Sequence, residues 1–300
     1  MKKITELYRK KYILPLRRAG AFFFFIFFLF GCTEDVNLTI AGGDKEIVIE
    51  GSIESGKPAK VIVTHNSPIS QTINASAILV SNAKVYVSNG FITDTLTFGL
   101  DAESAIPLDY KGHSVIGVPL QTYYLTVIAD GKTYTAITTI PKPIALDSVW
   151  WQVQPPKDSL GFAWAHLSDP PGLGNNYKWF ARRPTKDFRW VAPYGSTFDD
   201  KFFDGKSFDF AYNRGTDPTT TASAPPLSDE GYFKKTDTVY IKFCTVDYNT
   251  CRFYETYEAA LQANGNPFAS PVSIISNIKG GGLGVWAGFG TTYDTIMPKH

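Results

Sequence analysis

Cys32 closes the segment Leu29-Phe30-Gly31-Cys32, in which a branched apolar residue and a small one precede a thiol. Lipoprotein-processing enzymes act on this combination. The thiol receives a diacylglycerol, small Gly31 lets a peptidase reach the bond before it, and Cys32 becomes the first residue of the mature chain. The upstream residues fit this chemistry: Lys2, Lys3, Arg9, Lys10, Lys11, Arg17 and Arg18 are offset by Glu6 alone, and an unbroken apolar run follows from Ala21 to Phe30. A membrane-crossing helix needs roughly 20 apolar residues, about twice this run, so the segment reads as an export signal. The sequence thus predicts a lipoprotein signal peptide over 1–31 and a lipid anchor at Cys32. Each buried CH₂ of an acyl chain contributes about 0.8 kcal/mol, so two or three chains hold a protein to a membrane without any part of it spanning.

Four other groups of residues have chemistry to offer. Cys244 and Cys251 enclose TVDYNT, and in an exported chain such a pair is expected to form a disulfide, with two buried free thiols as the alternative. Zinc does not suit them, because the spacing is wrong and no histidine lies near. The histidines, His65, His113, His166 and His300, are far apart in sequence, and neither H-E-x-x-H nor G-x-S-x-G occurs, so no catalytic residues are expected. Asp199, Asp200 and Asp204 precede Gly205 as in a calcium loop, but counting from Asp200 puts Phe202 at the third position and Ala211 at the twelfth, where a carboxylate is required. A turn capped by side chains is the expected form, and no metal is expected. Phe188, Trp190 and Tyr194, set between proline and glycine in a loop, are the expected platform for a ligand or partner.

These residues need elements to position them. Without residues 1–31, 269 residues remain, with 22 basic against 27 acidic side chains, or about −5 net. A mildly acidic chain without a basic cluster argues against nucleic acid as a partner. Residues 32–45, polar and glycine-containing from Asp35 to Asp44, are expected to form a lipidated tether. From Glu46 onward, KEIVIEGSIE, PAKVIVTHNS, SNAKVYVSNG and TYYLTVIADGKTYTAITTI alternate as strands do, and Asp130-Gly131 supplies a two-residue hairpin turn. This predicts an immunoglobulin-like or transthyretin-like β-sandwich over 46–140. A proline-bearing linker follows over 141–148, then a second β-rich domain over 149–300 with one short helix in CRFYETYEAALQANG, its apolar face marked by Phe253, Tyr257 and Leu261. All six tryptophans fall in the second part, which is where a ligand surface is expected. The glycine run IKGGGLGVWAGFG lacks the Lys-Ser/Thr ending of a phosphate loop and reads as tight backbone packing in a strand.

Directly after Cys32, Thr33-Glu34-Asp35 resembles the surface-export signal of lipoproteins in the Bacteroidota. The blocks LSDPPGLGNNY, FKKTDTVYIKFCTVDYNTCRFYETYEAAL and NPFASPVSIISNIKGGGLGVWAGF, with the opening strand and the hairpin, resemble the Bacteroidota outer-membrane lipoproteins classed under domain of unknown function 4249. The triple Gly280-Gly281-Gly282 departs from the usual pair and leaves the register at Leu283 open. The resemblance implies an outer-membrane location facing the exterior and a TonB-dependent receptor as partner, for which the chain is an accessory that captures or presents a nutrient. No cofactor follows from it. A structural or adhesive envelope protein is the alternative expectation.

Overall fold

The structure, a computed structural model, describes residues 45–67, 75–101, 108–184, 186–215, 231–263, 270 and 272–297. The expected signal peptide, Cys32 and nearly all of the tether lie outside the described residues. Residues 43–300 form one compact unit.

An eight-stranded sheet runs through this unit in the order β12(Thr197–Asp199), β11(Asn176–Arg182), β15(Val239–Val246), β16(Leu283–Ile296), β1(Ile47–Glu54), β2(Pro58–His65), β6(Leu108–Ile116), β5(Thr97–Leu100). Every neighbouring pair is antiparallel except β1 and β16, which run parallel from Val48 opposite Leu283 to Glu54 opposite Phe289. Two smaller sheets cover one face. The first has the order β4(Thr93–Thr95), β3(Lys84–Ser88), β7(Thr122–Ala129), β8(Lys132–Thr139), and the second β13(Ser207–Tyr212), β10(Leu160–Ser168), β14(Phe233–Lys234), with β9(Ser148–Val153) also on β10. The chain is therefore mainly β with one long helix, α1(Tyr248–Ala263), as its alternation leads one to expect.

Period-two patterning assigns the faces. Along β1, Ile47, Ile49 and Ile53 enter the core while Val48, Glu50 and Ser52 turn away from it. The β7–β8 hairpin has the expected turn: Asp130 and Gly131 have φ of 50° and 73°, and Ala129 pairs with Lys132 across them. Tyr123, Leu125 and Val127 of β7 meet Val61, Val63 and Trp286 in one core. Tyr177, Trp179, Phe243, Leu167 and Phe233 form a second core under the other small sheet. Residues 141–147, between β8 and β9, do not divide the cores cleanly: Leu146 belongs to the second, Trp286 and Ile278 return to the first, and the large sheet takes strands from both sides of the segment.

The glycine run feeds β16, the strand that joins the halves. Gly284 has φ of 115°, and a Cβ there would lie 1.9 Å from the Ile49 carbonyl oxygen. Gly51, opposite Trp286, leaves room for the indole, since a Cβ on it would stand 2.7 Å from Trp286 Cε3.

The helix lies against the opposite face of the large sheet, over a third cluster that includes Cys244, Val285, Ala287 and Phe289. It begins before the expected segment because Asp247 caps it: its Oδ1 accepts from Thr250 N at 2.7 Å. Its inward face also differs from the expected one. Phe253 packs on the cluster as expected, but Tyr257 and Leu261 are exposed, whereas Cys251 is buried and Tyr254 packs on the cluster too. The reason is what lies beneath: a sheet surface carrying Lys178, Lys242 and Glu50 accepts polar and aromatic side chains from above, so an apolar stripe is not the stripe that docks.

Candidate functional site

The charged side chains of the helix-bearing sheet face line a concavity of about 410 Å³. Strand β1 contributes Glu50, Ser52 and Glu54, β2 contributes Lys60 and Ile62, and β6 contributes Lys111. Phe180 of β11, Lys242 of β15, Phe289 of β16, Tyr254 of α1 and the loop residues Arg189 and Trp190 complete the walls. The volume falls in the range of small-molecule sites, about 300–1,000 Å³.

Glu54 organises one end. Lys242 Nζ donates to its Oε2 at 2.8 Å, Lys57 Nζ stands 3.1 Å from its Oε1, and the Tyr293 hydroxyl donates to the same oxygen. Burial works to raise the Glu54 pKa, but the Lys242 ammonium and these donors win and hold it below the ordinary carboxylate value. Lys242 is itself held between two rings, its Nζ 5.1 Å from the Phe180 centroid and 5.2 Å from that of Phe289.

Phe180 carries a second ammonium. Lys178 Nζ lies 5.2 Å from it and 4.1 Å from the Tyr254 ring, donates to Thr197 Oγ1 at 2.9 Å and sits 3.5 Å from Glu258. Burial pulls this lysine down to about 8 against the pull of Glu258. Glu258 in turn accepts from Gly195 N at 2.8 Å, so helix, sheet and the 188–195 loop are tied through one carboxylate.

Glu50 is the exception in this network. Its side chain is exposed, and desolvation by the protein packed beside it pushes its carboxyl above the ordinary carboxylate value. No hydrogen bond to the Glu50 carboxylate forms among the described residues.

The loop aromatics divide. Trp190 lines the concavity and lies 5.7 Å from the Tyr293 ring, whereas Phe188 is 81% exposed and Tyr194 55%, and neither lines it. The strand residues Glu50, Glu54, Lys178 and Lys242 carry no motif. Their one signal is a polar residue at every second position of β1, Glu50, Ser52 and Glu54, which ordinarily marks a solvated face.

The bridge expected between Cys244 and Cys251 is not formed; both are free and buried. Each has its own polar neighbour, Thr291 Oγ1 at 3.4 Å for Cys244 and Glu255 Oε1 at 3.7 Å for Cys251. Burial pushes the Cys244 thiol up to about 11 and the Cys251 thiol further. Both are therefore expected to resist alkylation at pH 8 in the native protein and to react once it is denatured without reductant, as peptide mass mapping would read. Failure to react after denaturation would mean a bridge.

His65 pairs with Asp130 at 2.7 Å and His166 with Asp209 at 2.5 Å, each away from the concavity, and His113 meets Thr97 Oγ1 at 2.7 Å. Asp169, Asp200 and Asp204 bring carboxylate oxygens within 4.8 Å of one another, an arrangement a hard cation can use. In this structure the oxygens accept from backbone: Asp200 from Gly174 N and Asn175 N, both at 2.9 Å, Asp204 from Gly172 N at 2.6 Å, and Asp169 from Gly205 N at 3.0 Å. They clasp the 169–175 and 199–205 loops together. Asp169 was absent from the spacing argument because it reaches the cluster through the fold.

Together these features define a mainly β protein whose central mixed sheet bears a concavity rich in lysine and aromatic side chains. Over residues 33–294 the chain matches the domain of unknown function DUF4249, and it belongs to that family. No curated protein matches it. Among the described residues, no helix is long and apolar enough to cross a membrane.

Proposed function

We propose that the protein is a lipid-anchored outer-membrane protein of a Bacteroidota cell, facing the exterior, that serves a TonB-dependent receptor by capturing or presenting a nutrient. The observation that carries this reading is the concavity. Its walls offer ammonium groups, a guanidinium and aromatic rings, and its lining includes neither histidine nor cysteine. Such a surface holds a ligand by charge and stacking, and catalysis is not part of the proposal.

The leader supports the location. The basic start, the short apolar run and Gly31-Cys32 fit processing and acylation, and Thr33-Glu34-Asp35 fits a surface address. Family membership supports the company of a receptor in the way the resemblance implies.

Extraction of native outer membranes in mild detergent, followed by purification of the protein, is expected to bring a TonB-dependent receptor with it, and metabolic labelling is expected to place a fatty acyl group on Cys32. Recovery of the protein always free of any receptor would remove the accessory role. The adhesive alternative has one observation in its favour: Tyr124 and Ile137, paired across β7 and β8, are exposed together on the outer face of the small sheet. A deletion that leaves uptake intact but alters adhesion selects it.

A further inference from the structure

The lining of the concavity specifies a class of ligand, an inference that rests on the capture role proposed above. Five cations face it, Lys57, Lys60, Lys111, Arg189 and Lys242, against Glu50 and Glu54. Glu54 is shared by Lys57 and Lys242, and Asp101 pairs with Lys60 from outside the lining. Leaving Arg189 aside and counting Asp101 with the two glutamates, four ammonium groups still exceed three carboxylates, and the Lys111 ammonium makes no hydrogen bond or ion pair among the described residues. An anionic group is therefore favoured, and within the low-dielectric walls it is favoured more than at a flat surface.

Glu50 adds a second requirement. Its exposed carboxylate lines the concavity and accepts from no described side chain, so it is open to a ligand that brings N–H or O–H. The surrounding excess of positive charge disfavours an ammonium as the donor and leaves neutral hydroxyls as the better match. Trp190, Tyr254 and Ile62 offer flat or apolar surface to the C–H faces between such groups.

We infer that the concavity binds a small hydroxylated carboxylate, with Lys111 receiving its acid group, Glu50 accepting from its hydroxyls and Trp190 stacking on its carbon skeleton. Calorimetric titration of the purified lipidated protein in detergent, with no receptor present, tests this with glucuronate, gluconate and malate as probes. At least one is expected to bind about tenfold or more tightly than acetate, which has the charge alone, than glucose, which has the hydroxyls alone, and than glycine, which brings an ammonium. Lys111→Gln and Trp190→Ala, each checked for an unchanged melting curve, are expected to weaken the best probe about fivefold or more. Failure of all three probes to bind, equal binding of acetate or glucose, tighter binding of glycine, or unchanged affinity in both variants overturns the inference. Because no receptor enters the titration, such a failure leaves the accessory role to the membrane extraction.

Discussion

Trp286→Ala is expected to destabilise the protein by roughly 3–5 kcal/mol, the range for truncating a large aromatic in a core. Trp286 is fully buried, and its strand β16 is where the two halves of the large sheet meet, with β1 on one side and β15 on the other. The indole lies over Gly51, whose missing side chain makes the space for it, and its Nε1 donates to the Tyr123 carbonyl at 3.1 Å. Alanine would therefore leave a cavity and also strand a buried acceptor on β7. Because Gly51 presents only backbone there, little side chain is available to collapse into the gap. Urea unfolding followed by far-UV circular dichroism reads the difference, with Trp190→Ala at the rim of the concavity as the comparison. That variant is expected to lose less than about 1 kcal/mol through stability, as substitutions outside the core commonly do. A loss below about 1 kcal/mol for Trp286→Ala would mean that β16 is not the seam the topology indicates.

Strands declare themselves locally, and the parts of this fold that rest on local pattern were legible. The β7–β8 hairpin needs only alternation and Asp130-Gly131, and both appear in the chain as written. The insertion of β16 beside β1 was not legible, because a parallel pairing between Gly51 and Trp286 joins residues that no hairpin or turn signal connects. The reading of the glycine run as tight packing anticipated the close approach of Gly284 to Ile49 but not the partner. The helix was visible and its face was not. Of the apolar stripe Phe253, Tyr257 and Leu261, only Phe253 packs on the cluster beneath, while Tyr254 and Glu258 reach the charged part of the floor at Lys178. Of the expected platform only Trp190 lines the concavity, whose other walls come from the strands. Glu50, Glu54 and Lys242 look in sequence like the wet side of a strand, and only a second layer above them turns a solvated face into a lined cavity.

Glu54→Ala is expected to cost about 3–5 kcal/mol, because it removes one partner of a buried ion pair and leaves the other charge behind. The side chains of Glu54 and Lys242 are 10% and 11% exposed, and the Lys242 ammonium sits between two rings. Removing both charges tests whether the loss comes from the pair itself or from the stranded cation. Glu54→Leu combined with Lys242→Met keeps the volume and removes the desolvation cost of both groups, so the double variant is expected to recover most of what Glu54→Ala loses. The pH dependence separates the same two cases. The Glu54 pKa is lowered in the folded protein, so its contribution is fully present above the ordinary carboxylate value and disappears as pH falls through the lowered one. Glu50 runs the other way. Its raised pKa makes it a penalty at neutral pH that is relieved on acidification, but the side chain is exposed and the penalty small, so Glu50→Gln is expected to raise stability only slightly at pH 7 and to change little in acid. Denaturant titrations at neutral and acid pH should therefore show a wild type that loses stability on acidification more steeply than the Glu54→Leu/Lys242→Met protein. If the two acid limbs run parallel, Glu54 is not the carboxylate that couples this sheet face to the proton.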